Sequence, residues 1–168
     1  MTIVLDAQTM GRSIRRMAHE IIEKHRDLSQ IVLLGIETRG VFLARRLAEE
    51  IKTIEGLDVT VAPINIRPFR DDVRTQDESA LPKVSTFGSD VIIVDDVLFT
   101  GRSVRACMDA TIKLGRPASI QVAVLIDRGH RELPITANIV GKNIPTKSSQ
   151  RVFVRMSEID GVDAVELD

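Results

Sequence analysis

The stretch "VIIVDDVLFTGRS", residues 91–103, decides how this chain is read. Four β-branched residues, Val91, Ile92, Ile93 and Val94, predict a short buried strand. It runs straight into two carboxylates, Asp95 and Asp96, and then into the turn Thr100-Gly101-Arg102-Ser103. Ligands of open α/β sheets lie in the crevice beyond the carboxyl ends of the strands, where these acids fall. A helix starting within the turn would present unpaired backbone N–H groups, with Gly101 permitting close approach and Thr100 and Ser103 adding hydroxyls. Such a helix start suits a phosphate group. Carboxylates would repel that phosphate, so their place beside it makes sense if they hold hydroxyls or a divalent cation. The ligand implied is a phosphorylated polyol carrying Mg²⁺. An ordinary strand-to-helix turn can also show apolar residues, acid and glycine, and the second nucleotide motif of ATPases looks similar. The ATPase reading fails because no G-x-x-x-x-G-K-[ST] loop occurs in the chain.

The same logic recurs upstream. "IVLLGI" (31–36) is a short apolar strand, and the turn "GIETRGV" (35–41) opens a helix with Val41, Ala44, Leu47, Ala48 and Ile51 on one side. Arg39 at that helix start is odd, since a cation opposes the dipole there, and a bound anion would remove the oddity. Residues 8–26 read as an amphipathic helix with Ile14, Met17, Ala18, Ile21 and Ile22 on one face and Asp6 as a candidate cap. Further strands are expected at 58–66, 119–126, 151–156 and 164–167. A helix from about Gly101 should bury Val104, Cys107, Met108 and Ile112, with Gly115 a candidate stop. Between strands, residues 67–90 are polar, charged and without period, which marks a loop that is mobile or functional. Alternating strands and helices imply a mainly parallel sheet with helices on both faces, and nothing separates a second domain from a single one over 1–168.

Composition narrows the class. The 168 residues are 43% hydrophobic and 28% charged, with a net charge of -1, so any nucleic-acid binding would need a local basic patch. Arg12, Arg16 and His19 form one by their spacing, with Arg15 beside them, although Glu20 and Glu23 balance that helix. Cys107 is the sole cysteine, so no intrachain disulfide is possible, and the three His residues are too scattered for a zinc site. The N-terminal run lacks the apolar core of a secretory signal, and no stretch approaches bilayer-spanning length. The expected location is the cytoplasm.

Position for position, 91–103 resembles the thirteen-residue phosphoribosyl-pyrophosphate (PRPP) motif of type I phosphoribosyltransferases. The resemblance implies that Val91, Ile92, Ile93, Val94, Asp95, Asp96, Val97, Leu98, Phe99, Thr100, Gly101, Arg102 and Ser103 form the PRPP site. In it the acid pair would hold the ribose hydroxyls and the turn the 5′-phosphate. "RMAHEII" (16–22), "LGIETRGVFLARRLAE" (34–49), "FRDD" (69–72), "GRSVRACMDA" (101–110), "LIDRGHRELPI" (125–135) and "GKNIPT" (141–146) are similar to the PyrR family of pyrimidine-operon regulators. That family combines uracil phosphoribosyltransferase activity with RNA-binding attenuation control of transcription.

The resemblance implies the type I fold with a small C-terminal hood and a flexible loop at 67–90. It implies a pyrophosphate loop of Thr38, Arg39 and Gly40, and Arg70 in the flexible loop, where Arg67 and Arg74 could also meet pyrophosphate. Arg12, Arg15, Arg16 and His19 would face RNA. The implied partners are PRPP, uracil, UMP or UTP, the leader mRNA of pyrimidine genes and further copies in a homodimer or larger homo-oligomer. Mg²⁺ would be held mainly by PRPP rather than by protein ligands. Phe99 stands where relatives acting on 6-oxopurines carry an Asp, which favours a pyrimidine base. "NIRPFRDD" (65–72) departs from the family's "DITLYRDD", so Asn65 removes a carboxylate near the site.

Overall fold

The computed structural model of the chain describes residues 1–72 and 81–168. Its centre is a five-stranded parallel sheet. We label its strands β2 (Ile31–Ile36), β3 (Thr60–Ile64), β4 (Asp90–Leu98), β5 (Ser119–Asp127) and β6 (Ile139–Asn143). Their spatial order is β3-β2-β4-β5-β6. Helices α1 (Ala7–Lys24) and α2 (Arg39–Glu55) cover one face and α3 (Arg102–Lys113) the other. Alternate residues of β4 divide between the two cores: Ile92 and Val94 pack with α1 and α2, Val91 and Ile93 with α3. That division is the two-residue period of a strand buried on both faces. With the sheet covered on both sides, only the strand ends are open to a ligand.

Local signals explain most boundaries. Asp6 caps α1, its Oδ1 accepting from Thr9 N at 2.8 Å, and this bond holds the carboxyl below its usual pKa. The helix ends at Lys24, two residues short of expectation, because His25 is extended and its Nδ1 lies 2.7 Å from Ile21 O. The buried side of α3 differs from the expected one. Ala106, Ala110 and Thr111 join Val104 and Cys107 inside, while Ile112 is 62% exposed.

Two strands escaped the sequence reading. β1 (Thr2–Leu5) pairs antiparallel with β8 (Ala164–Leu167), which pairs with β7 (Val152–Arg155). The hood is therefore built from both chain ends, not from the C-terminal strands alone. β6, at the sheet edge, was hidden in a polar stretch because only Ile139 and Gly141 of it are buried. Arg46 ties α2 to the short helix α4 (Ser157–Asp160) and its exit, with Glu158 at 2.5 Å and Asp163 at 2.8 Å. These ion pairs raise the arginine's pKa and lower those of both acids.

The expected loop 67–90 is anchored at both ends. Arg67–Phe69 form a 3₁₀ turn with Pro68 and Phe69 buried. At the other end Thr86 is fully buried, its hydroxyl donating to Thr111 O at 3.0 Å, and Gly88 N donates to Arg116 O at 2.9 Å. Residues 73–80 lie outside the described residues, and with them the expected role of Arg74.

Candidate functional site

β4 runs further than the apolar stretch predicted, to Leu98, so Asp95 and Asp96 lie within a paired strand and not beyond its end. Their exposure to a crevice has another cause. β2 pairs with β4 only as far as Gly35 opposite Val94, whereas β5 follows β4 to Leu98 opposite Asp127. Past Val94 one side of β4 has lost its neighbour, and the acids open into the gap. That gap is a crevice of about 390 Å³ lined by Asp95, Asp96, Ser103, Glu37–Arg39, Asn65, Arg67 and Arg70. It sits where β2 and β4 diverge, the switch point of an open parallel sheet.

Asp95 keeps part of its surface open to the crevice, but its carboxyl lies deep among protein atoms. Burial first, and the neighbouring Asp96 carboxylate second, push its pKa well above the usual range. The backbone partly compensates: Asp96 N donates to Asp95 Oδ1 and Val97 N to Asp96 Oδ1, both at 2.9 Å.

The turn after β4 is held from outside. Thr100 O accepts from Glu132 N at 3.0 Å and Leu133 N at 3.2 Å, and Phe99 O accepts from Arg131 at 2.9 Å. Gly101 has φ 93, and an added Cβ would lie 3.0 Å from Ile135 Cβ. Arg102 follows at the first turn of α3, where Ser103 lines the crevice. The Arg102 guanidinium, however, is claimed by Asp71 at 2.5 Å and Glu132 at 3.3 Å. Its side chain is bound to carboxylates, leaving backbone and hydroxyls for an anion.

The start of α2 packs closely against β4: a Cβ on Gly40 would lie 2.5 Å from Val94 O. Thr38 and Arg39 line the crevice beside it. The odd cation at this helix start is explained within the protein. Arg39 Nε donates to Val154 O at 2.8 Å and its Nη2 reaches Asp160 at 3.2 Å, joining the loop to the hood. A bound anion is not needed to account for it.

Phe99 is 37% exposed, with the Arg128 guanidinium 3.9 Å from its ring centre and His130 packed edge-on. Arg128 was missed from sequence. It is only 6% exposed, donates to Lys147 O at 3.2 Å and has a buried Nε without a partner. The alternating charges of "DRGHREL" are the signal that could have singled it out. His130 has φ 67, and its Nε2 lies 2.6 Å from Thr146 O, a structural fixture.

The four α1 residues are all exposed but unequal. Arg15 pairs with Glu50 at 3.5 Å. Arg16 pairs with Glu20 at 2.7 Å and donates to the Val140 and Gly141 carbonyls at the β6 edge. Arg12 and His19 have no ion pair or side-chain hydrogen bond among the described residues. Also among the described residues, no group of three or more His, Cys, Asp or Glu could hold a metal, and no helix is long and apolar enough to cross a membrane. The oxygen-donor pair Asp95–Asp96 suits a hard cation that arrives with its own phosphate ligands.

Comparison with known proteins agrees with this geometry. The phosphoribosyl transferase domain family matches residues 1–157. Among solved structures, hypoxanthine phosphoribosyltransferases share the fold. That of Trypanosoma cruzi superposes with a TM-score of 0.77 at 19% identity, covering 99% of this chain and 95% of its own. That of Staphylococcus aureus gives 0.76 at 15%, covering 98% and 90%. Among curated proteins, "Bifunctional protein PyrR" of Streptococcus suis is 52% identical, and that of Streptococcus pyogenes serotype M12 51%. Each match covers 98% of this chain and 95% of the relative. The "Pyrimidine operon regulatory protein" of Lactococcus lactis subsp. lactis is 51% identical, over 96% and 94%. A parallel sheet with its acid pair at the switch point, a phosphoribosyltransferase domain and half-identical relatives over nearly all their length place this chain in the PyrR family.

Proposed function

We propose that this chain is a uracil phosphoribosyltransferase that also regulates pyrimidine genes by binding their leader RNA. The observation that carries the reading is the acid pair sharing one crevice with Ser103 of the turn, in a chain half-identical to bifunctional PyrR proteins. Residues 1–168 would act as one domain, in the cytoplasm and as a homo-oligomer.

The reaction is uracil plus PRPP giving UMP and pyrophosphate. The ribose C1′–O bond to pyrophosphate breaks, a bond from C1′ to uracil N1 forms, and the N1 proton is released. No covalent nucleophile is required. Asp95 and Asp96 hold the ribose hydroxyls, and the Thr100–Ser103 turn binds the 5′-phosphate through backbone N–H groups and hydroxyls. Thr38, the Arg39 backbone and Gly40 face the pyrophosphate. The positive charge that develops on the ribose is met by the carboxylate pair, and the leaving oxygens by cations such as Arg70. Mg²⁺, brought by PRPP, supplies charge neutralisation of the leaving group when bound. Phe99, with the Arg128 guanidinium over its ring, offers the base no side chain for proton exchange of the kind a purine would use.

The regulatory half rests on the α1 face, where Arg12 and His19 are exposed and, among the described residues, make no ion pair or side-chain hydrogen bond. A steady-state assay for UMP tests the enzyme: turnover of uracil is expected, and turnover of hypoxanthine alone would overturn the base assignment. Binding of a pyrimidine-leader RNA, tightened by UMP, tests the regulator. Absence of any such binding would leave an enzyme only.

A further inference from the structure

The three arginines lining the crevice are not equivalent. Arg39 is held by Asp160 and the hood, and Arg70 by Asp72 at 2.6 Å. Arg67 has no ion pair and no side-chain hydrogen bond among the described residues. Yet its backbone is firmly mounted. It opens a 3₁₀ turn whose next two residues, Pro68 and Phe69, are buried. Phe69 O accepts from Arg105 at 2.8 Å, and Phe69 N donates to Ile66 O at 2.9 Å. Arg67 is thus an exposed guanidinium on a fixed base at a crevice whose acids are Glu37, Asp95 and Asp96 and whose other two arginines already have carboxylate partners.

Asn65, two residues before it, also lines the crevice. Its Oδ1 accepts from Arg67 N at 3.0 Å, a turn bond that Asp would make equally well. Asp at 65 would also add one more full negative charge to the crevice that Arg67 lines. Asn65 keeps the turn and omits the charge.

Pyrophosphate carries several negative charges that must be compensated before it enters a crevice with carboxylates. A guanidinium is always charged and binds phosphoryl oxygens through two parallel N–H bonds. We infer that Arg67 is the fixed cation for the donor's pyrophosphate group and lowers this chain's dependence on a divalent cation for holding it. This rests on the phosphoribosyltransferase reading above and goes beyond it.

The test is calorimetric titration of the full chain with inorganic pyrophosphate, in EDTA and in saturating Mg²⁺, with UMP as a second ligand. The wild-type chain should bind pyrophosphate in EDTA. Arg67→Thr should weaken that binding by about tenfold or more in EDTA, but by about threefold or less in Mg²⁺. Asn65→Asp should weaken it in EDTA in the same direction. UMP, which lacks the pyrophosphate group, should bind all three proteins equally. Equal losses for Arg67→Thr with and without Mg²⁺, or no wild-type binding in EDTA, would overturn the inference. So would a larger loss in EDTA from Arg70→Ala than from Arg67→Thr. Failure of the wild-type chain to bind UMP would instead defeat the phosphoribosyltransferase reading itself.

Discussion

The two sides of the crevice are built in opposite ways. The side proposed for ribose and phosphate comes from one contiguous stretch, β4 through the first turn of α3, whose acids lie on the strand and whose turn is pinned by bonds from residues 131–133 to Phe99 O and Thr100 O. The side proposed for pyrophosphate is assembled from three segments: the start of α2, residues 65–70 and, through Arg39, the hood. On the first side one continuous backbone run positions the ligand groups, while on the second Arg39 and Arg70 already have carboxylate partners and only Arg67, among the described arginines there, does not. The first side should therefore fail sharply when one group is changed, and the second gradually.

Asp96→Asn is the largest expected effect. It keeps volume and the backbone bond but removes a charge facing the ribose, so PRPP affinity should fall by about 2–3 kcal/mol with little change in fold. Calorimetry with PRPP and Mg²⁺ checks it, and undiminished binding would remove the acid pair from the site. Gly40→Ala comes next. Its Cβ would press on the Val94 carbonyl, a backbone atom that cannot yield cheaply, so denaturant unfolding should show about 2 kcal/mol of lost stability.

Asp95→Asn should separate stability from function, because the native carboxyl has a raised pKa. Between the unfolded value near 3.8 and the higher folded value, the native state binds the proton that the unfolded state has released. Its contribution to stability therefore falls as pH rises through that window, and the folded chain carries a penalty at neutral pH. Removing the acid should raise stability at pH 7, and the gain should vanish at pH 3. Thermal melts at the two pH values test this, and a variant less stable at pH 7 would contradict it.

Asp160→Asn probes the assembled side and should do least. Its pair with Arg39 is part-exposed, so stability should change little, with PRPP binding retained. A loss of PRPP affinity as large as that of Asp96→Asn would show that the two sides are not built differently.

The α1 face adds a caution about reading function from spacing. Arg12, Arg16 and His19 share a face, but Arg16 closes the β6 edge by taking its free carbonyls. Its replacement would loosen the fold as well as any RNA contact. Arg12→Ala with His19→Ala is the cleaner pair: RNA binding should weaken by about 1–2 kcal/mol and become less salt-dependent, with UMP synthesis unchanged.

The amino-acid order by itself determined the parallel sheet, the strand–turn–helix at 91–103, the Asp6 cap and the two turns that meet at the crevice. These rest on contacts between residues a few positions apart, so periodicity, β-branched runs and glycine reveal them. The tertiary structure decided the rest. Which strand end opens depends on where β2 stops pairing with β4, a matter of register between distant segments. β1 was unreadable because four residues form a strand only when β8, over 150 residues later, offers its edge. The destinations of Arg16, Arg39 and Arg102 were equally hidden. A guanidinium on a long flexible stem binds whichever carboxylate or carbonyl the fold brings within reach, and sequence spacing says nothing of that partner.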